Sequence, residues 1–264
     1  MSDQPTILVL AGQRPNKRDP LAAELNISHK CMAPVLGIAA IGRVLTTIHA
    51  ALPKAKILLS IEDPGAVAAE PTVARLAAAE TLGFVGARAN LVDSVIAASE
   101  TASFPLLITT GDNALLTEDA LHAVTRRGMA MKAGSILVLA PREAIEAAHP
   151  GGKGRYYEFR DGAYSNCNLF WISDKADLRG AEAFRAGGQF LKVKGRMLDA
   201  FGALNLLFFK LKLLAVESMF KLVSRRLKTH VEPLILPDGR LAIDVDDMRS
   251  LRMAEDILAA KLAA

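Results

Sequence analysis

An α/β fold is predicted, a mostly parallel sheet flanked by helices, with an antiparallel hairpin and a helical, basic insertion in the second half. Short apolar runs that stop at glycine- or aspartate-containing loops alternate with segments whose apolar residues recur every three or four positions. Composition agrees: 51% of the 264 residues are hydrophobic and only 5% aromatic, which suits helices packed on a buried sheet better than a β-sandwich.

The first run, Ile7 to Leu10, ends at Ala11-Gly12 and reads as a fully buried strand. Ile41, Leu45, Ile48 and Leu52 mark a helix, Lys56 to Ile61 a second strand, and Asp63-Pro64-Gly65 its end. Helices follow near Thr72 to Thr81 and Leu91 to Ala102, then a strand at Leu106 to Thr110, a helix from Thr117 and a strand at Ile136 to Ala140. Beyond Pro150 the pattern changes: Tyr156 to Arg160 and Asn168 to Ile172, around Asp161-Gly162, read as antiparallel strands. Helical, basic sequence runs to about Lys228. Val231 to Leu236 and Leu241 to Val245 predict a last hairpin around Pro237-Asp238-Gly239, before a closing helix from Asp247 to Leu262. One domain is expected over 1–264, with a parallel-sheet half at 1–150 and a second half with a carboxyl-terminal acidic segment at 151–264.

A net charge of +4 and few aromatic residues argue against nucleic acid as a partner. Two cysteines, Cys31 and Cys167, make neither a disulfide framework nor a metal cluster, and a reducing cytoplasm is the expected location. Ile7 to Ala11 is too short for a signal sequence and nothing reaches the length of a membrane span, so a soluble or membrane-peripheral protein is expected.

Four stretches carry chemistry. Leu10, Ala11, Gly12 and Gln13 place small residues after a strand, where backbone amides can approach phosphate, with Arg14 beside them. Lys30 precedes the apolar stretch Cys31-Met32-Ala33-Pro34-Val35-Leu36-Gly37 and a helix. Asp112 stands just past a buried strand, where open α/β sheets hold ligands and a carboxylate can bind Mg²⁺. Asp244, Asp246 and Asp247 follow the last strand expected, and period-two alternation puts Asp244 and Asp246 on one face. A further loop, Gly86, Ala87, Asn90 and Ser94, enters a helix; Asn90 is equally suited to cap it.

Together these stretches resemble the NTP transferases of the MobA-like group and their cytidylyltransferase relatives. The resemblance extends over nearly the whole chain and is specific mainly at Gly12 to Gly37, Asp112 and Asp244; the loop from Gln13 to Arg18 is less regular than the family's. It implies a Rossmann-like, GT-A-type fold and Mg²⁺-dependent transfer of a nucleoside monophosphate, with Mn²⁺ an acceptable substitute. Arg14 and Lys30 would hold the triphosphate, Asp112 and Asp244 the metal, and Asp246 and Asp247 the start of the last helix. Gly86, Ala87, Asn90 and Ser94 would read the base, with the Ser94-Val95 pair favouring CTP over GTP.

Lys153, Arg155, Asn166, Asn168 and Lys192, near Tyr156, Tyr157, Lys194 and Arg196, form the expected acceptor side, suited to a phosphorylated small molecule or lipid-like acceptor. Residues 201–228 mix leucines and phenylalanines with lysines and arginines. They fit core packing, a homodimer contact, or a helix lying on anionic lipid. Two rival functions fit parts of the pattern: a glycosyltransferase of related fold, which would lack Arg14 and Lys30, and a non-catalytic membrane- or protein-binding module, which would not use Asp112.

Overall fold

Hydrophobic patterning translates directly into the sheet. The structure is a computed structural model that describes residues 4–13, 18–131, 133–152, 156–179 and 211–263. Strand β1 (Thr6–Leu10) is buried along its whole length, as is β4 (Ile57–Ser60), so neither alternates in sequence. With β5 (Leu82–Val85) and β6 (Leu106–Thr110) they form a parallel block ordered β5-β4-β1-β6.

Beyond β6 the direction changes. The long strand β9 (Gly162–Ile172) lies antiparallel between β6 and β7 (Ser135–Pro141), and β10 (Val231–Ile235) closes the far edge parallel to β7. The short strand β8 (Tyr157–Phe159) pairs antiparallel with the start of β9 through the expected turn. The predicted hairpin is therefore present, but its second arm runs on into the main sheet. Trp171 and Leu169 are fully buried there, which a free-standing hairpin would not achieve. A small separate pair, β2 (Pro34–Val35) and β3 (Ile38–Ala39), turns through Leu36 and Gly37, both at positive φ.

The last expected hairpin is not formed. After β10, residues Gly239–Ala242 make a 3₁₀ turn, and Ile243 to Asp246 run as irregular chain. Gly239 packs so closely on the backbone of Ala144 and Ile145 that a side chain would collide with it, which directs the chain back across the sheet's end. Leu241, Ala242, Ile243 and Val245 are buried in the main core, so apolar content suggested a strand where tertiary packing produced a turn.

Helices α1 (Pro20–Glu24), α2 (Ala40–Ala51), α3 (Pro71–Ala78), α4 (Leu91–Ser99), α5 (Glu118–Met129), α6 (Arg142–Ala148), α7 (Val216–Leu227) and α8 (Met248–Ala263) cover the sheet. Thr117 caps α5, its hydroxyl accepting from the Ala120 N–H at 3.3 Å, where the sequence predicted a helix start. Among the described residues, no helix is long and apolar enough to cross a membrane.

Candidate active site

Adjacent parallel strands bring their carboxyl ends together, so the loops leaving β1, β4 and β6 share one sheet edge. Gly111 N–H donates to the Leu10 carbonyl at 2.9 Å, and Ala11 N–H donates to the Ser60 carbonyl, also at 2.9 Å. Gly12 faces the loop after β5: a Cβ there would collide with the Ala87 methyl and lie 2.9 Å from Glu62 Oε2. Two predicted nucleotide-binding segments, Leu10 to Gln13 and Gly86-Ala87, are thus in direct contact.

Asn90 and Ser94 belong to local capping. The Asn90 side chain accepts from Asp93 N–H at 3.0 Å, while the buried Ser94 hydroxyl accepts from Arg88 N–H at 2.8 Å and donates to the Asn90 carbonyl at 3.1 Å. Both side chains fix the loop's entry into α4 and are engaged within it.

Lys30 begins a 3₁₀ turn, Lys30–Met32, and its ammonium lies 2.5 Å from Asp112 Oδ2 and 2.5 Å from Asp246 Oδ1. Asp112 is buried and Asp246 largely exposed, so the lysine bridges the floor and the rim of the site. Burial pushes the Asp112 pKa upward, but attraction to Lys30 and its hydrogen bond outweigh burial and hold the carboxyl below its ordinary range. Burial lowers the Lys30 pKa, and Asp112 with Asp246 more than reverse this, so the ammonium stays charged.

Asp244 is also buried, and Val245 N–H donates to the Asp112 carbonyl at 3.1 Å, which joins the two acidic loops. Asp247 caps α8, accepting from Ser250 N–H at 2.8 Å, the role expected for it. Asp246 had the same expected role, yet it turns towards Lys30. The irregular chain explains this: Asp246 N–H bonds the Asp244 carbonyl at 3.0 Å, a tight turn in which strand alternation no longer sets side-chain direction.

The acceptor-side asparagines sit close by. A bulge in β9, where pairing with β7 shifts register between Leu137 and Leu139, holds Asn168 at φ 48°. Asn166 Nδ2 donates to Asn168 Oδ1 at 3.1 Å, and Asn113 Nδ2 donates to the Cys167 carbonyl at 3.0 Å, which fastens the bulge to the residue after Asp112. Arg14, Lys153, Arg155 and Lys192 lie outside the described residues.

Glu62 and His29 join the site without having been predicted as site residues. Gln13 N–H donates to both Glu62 carboxylate oxygens, at 3.2 and 3.1 Å, and the buried His29 ring places Nε2 3.0 Å from Glu62 Oε1. Gln13 Nε2 donates to the Ser28 carbonyl at 2.9 Å, so the loops before Arg14 and Lys30 are tied together. The signal for Glu62 was available: it stands two residues past a buried strand, as Asp112 does past β6.

No protein-family model matches this chain, and no curated protein does either. Solved structures do. A hypothetical transferase from Thermus thermophilus is 24% identical with a TM-score of 0.76, over 94% of this chain and 99% of that one. A CMP:2-keto-3-deoxy-manno-octonic acid synthetase complexed with CTP is 10% identical with a TM-score of 0.59, over 97% of this chain and 98% of that one. A 4-diphosphocytidyl-2C-methyl-D-erythritol synthase from Anaerococcus prevotii is 12% identical with a TM-score of 0.59, covering 97% and 96% of the two chains. The chain therefore has the fold in which solved nucleotidyltransferases are built.

Proposed function

We propose that this protein is a nucleotidyltransferase of the MobA-like kind, which transfers a nucleoside monophosphate from an NTP to a phosphorylated acceptor and releases pyrophosphate. The observation that carries this reading is the single ammonium of Lys30 held between Asp112 and Asp246 at a parallel sheet's carboxyl edge. The loop from Ala11 to Gln13 leaves the same sheet edge and is the side proposed for the triphosphate, with the Gln13 amide itself held by Glu62. Similarity to enzymes named for CTP and for cytidylyl products supports CTP as the favoured nucleotide over GTP.

Lys30 is shared between two carboxylates, Asp112 and Asp246, and buried Asp112 Oδ1 meets no hydrogen-bond partner among the described residues. Such oxygen donors fit Mg²⁺, or Mn²⁺ in its place. Asp112 with Asp244 or Asp246 would hold the ion, which supplies charge neutralisation at the phosphates when bound. Lys30 would neutralise the β- and γ-phosphates as the bond from the α-phosphorus to the bridging oxygen breaks and pyrophosphate leaves. An acceptor phosphate oxygen, ionised at neutral pH, attacks in line and needs no general base. Asn166 and Asn168 lie where acceptor hydroxyls or phosphate would be met.

The test is pyrophosphate release with each NTP, Mg²⁺ and a panel of sugar, polyol and lipid phosphates. CTP with one acceptor class should give turnover that Lys30→Gln lowers at least 100-fold, the scale of removing one preorganised transition-state donor. Turnover with nucleotide sugars and none with NTPs would instead identify a glycosyltransferase.

A further inference from the structure

Helix α7 packs beside β10 at one edge of the sheet, and its two faces differ sharply. Val216, Met219, Phe220 and Val223 are buried, with Val216 and Phe220 packed on Leu139, Tyr164 and Val231, so the apolar stripe is already used by the core. The opposite face presents Lys221 and Arg225 to solvent, and exposed Lys228 follows as the C-cap at φ 53°; none of the three has a carboxylate partner among the described residues. Glu217, in the first turn, is the helix's one acidic residue.

A basic last turn complements the helix dipole and accounts for Arg225 and Lys228 in part. It does not account for Lys221 in mid-helix. Glu217 stands four residues before Lys221, the favourable order for such a pair, while Lys221 and Arg225, also four apart, repel by a similar amount. Nor does it account for Leu211 and Leu213, which are 56% and 51% exposed on either side of Lys212, itself paired with Glu158. The chain just after them is fastened to the turn between β8 and β9: Arg160 N–H donates to the Leu214 carbonyl at 2.9 Å, and Val216 N–H donates to the Asp161 carboxylate at 3.0 Å.

We propose that the Leu211–Leu213 segment and the cationic face of α7 dock on an anionic lipid bilayer, the leucines entering the headgroup layer and Lys221, Arg225 and Lys228 facing acidic headgroups. Exposed leucines beside cations suit a lipid interface, whereas a polyphosphate chain offers nothing to receive them. The scarcity of aromatic residues, 5% of the chain, points the same way, since bases are held by stacking.

The test is co-sedimentation of the full chain, without nucleotide, with vesicles of phosphatidylglycerol and phosphatidylcholine against phosphatidylcholine alone. Binding should require the anionic lipid and weaken with salt. Each cation near such a surface is worth about fivefold, so Lys221→Gln/Arg225→Gln/Lys228→Gln should weaken partitioning at least tenfold. Leu211→Ser/Leu213→Ser should weaken it at unchanged salt dependence. Both variants alter exposed side chains, and unchanged circular dichroism and pyrophosphate release will show that they fold. Equal binding to both vesicle types, undiminished binding by the glutamine variant, or tighter binding to duplex DNA or RNA than to vesicles would overturn the proposal.

Discussion

Lys30 is the residue on which the site turns, because among the described residues it is the cation paired with buried Asp112. With its folded pKa depressed, Asp112 contributes stability above its ordinary pKa of 3.8, and that contribution is lost as pH falls through the depressed value. Lys30→Gln should cost about 1–3 kcal/mol at neutral pH by leaving a buried carboxylate unmatched. Burial alone then raises the Asp112 pKa, so this group's contribution reverses sign and falls as pH rises. Denaturant unfolding of both proteins at pH 3.5 and 7 measures this, and parallel pH dependence would sink the assignment. Beside it, burial first and Asp112 second push the Cys31 thiol up to about 12. Iodoacetamide at pH 8 should therefore leave Cys31 unmodified in the native protein and alkylate it after unfolding, read by mass spectrometry. Lys30 and Asp112 were legible in the sequence because each sits at a strand end or before an apolar run. Asp246 was read as a cap like Asp247, since only the turn from Asp244 to Asp246 aims it at Lys30.

Elements were read best where local signals and burial agree. Thr117 and Asn90 both start helices as their side chains dictate, and Asn90→Ala should cost about 1 kcal/mol, or a melting temperature about 2–4 °C lower. A calorimetric scan that shows no loss would mean that Asp93 and Ser94 hold the loop without it. Close approach between elements is harder to foresee, as the contact of Gly12 with Ala87 and Glu62 shows. Gly12→Ala must separate the loops after β1 and β5, and is expected to cost about 1–3 kcal/mol and weaken NTP binding more than tenfold by titration calorimetry. Strand β5 passed unpredicted, its four residues including Gly83 and lying on the sheet edge. The expected hairpin from Leu241 to Val245 failed for the opposite reason: its burial is real, but Gly239 against Ala144 imposes a turn.

At the scale of the whole molecule, the parallel block was readable from the alternation of strands and helices up to Ala140. The insertion of β9 between β6 and β7 was not, because antiparallel neighbours a few residues apart look alike whether they stand free or join a larger sheet. That insertion fastens Cys167 to Asn113 and brings Asn166 and Asn168 to the edge that carries Asp112. Three segments distant in sequence thus converge on one sheet edge, where the proposed reaction has the α-phosphorus of an NTP at its centre. The most direct measurement follows that atom: an NTP labelled at the α-phosphate is incubated with Mg²⁺ and the acceptor panel, using wild type and Asp112→Ala. The label should pass to an acceptor phosphate as a pyrophosphate is released, and Asp112→Ala should abolish the transfer. Label that stays in the NTP under every condition, or that transfers equally well without Asp112, would contradict nucleotidyl transfer at this site.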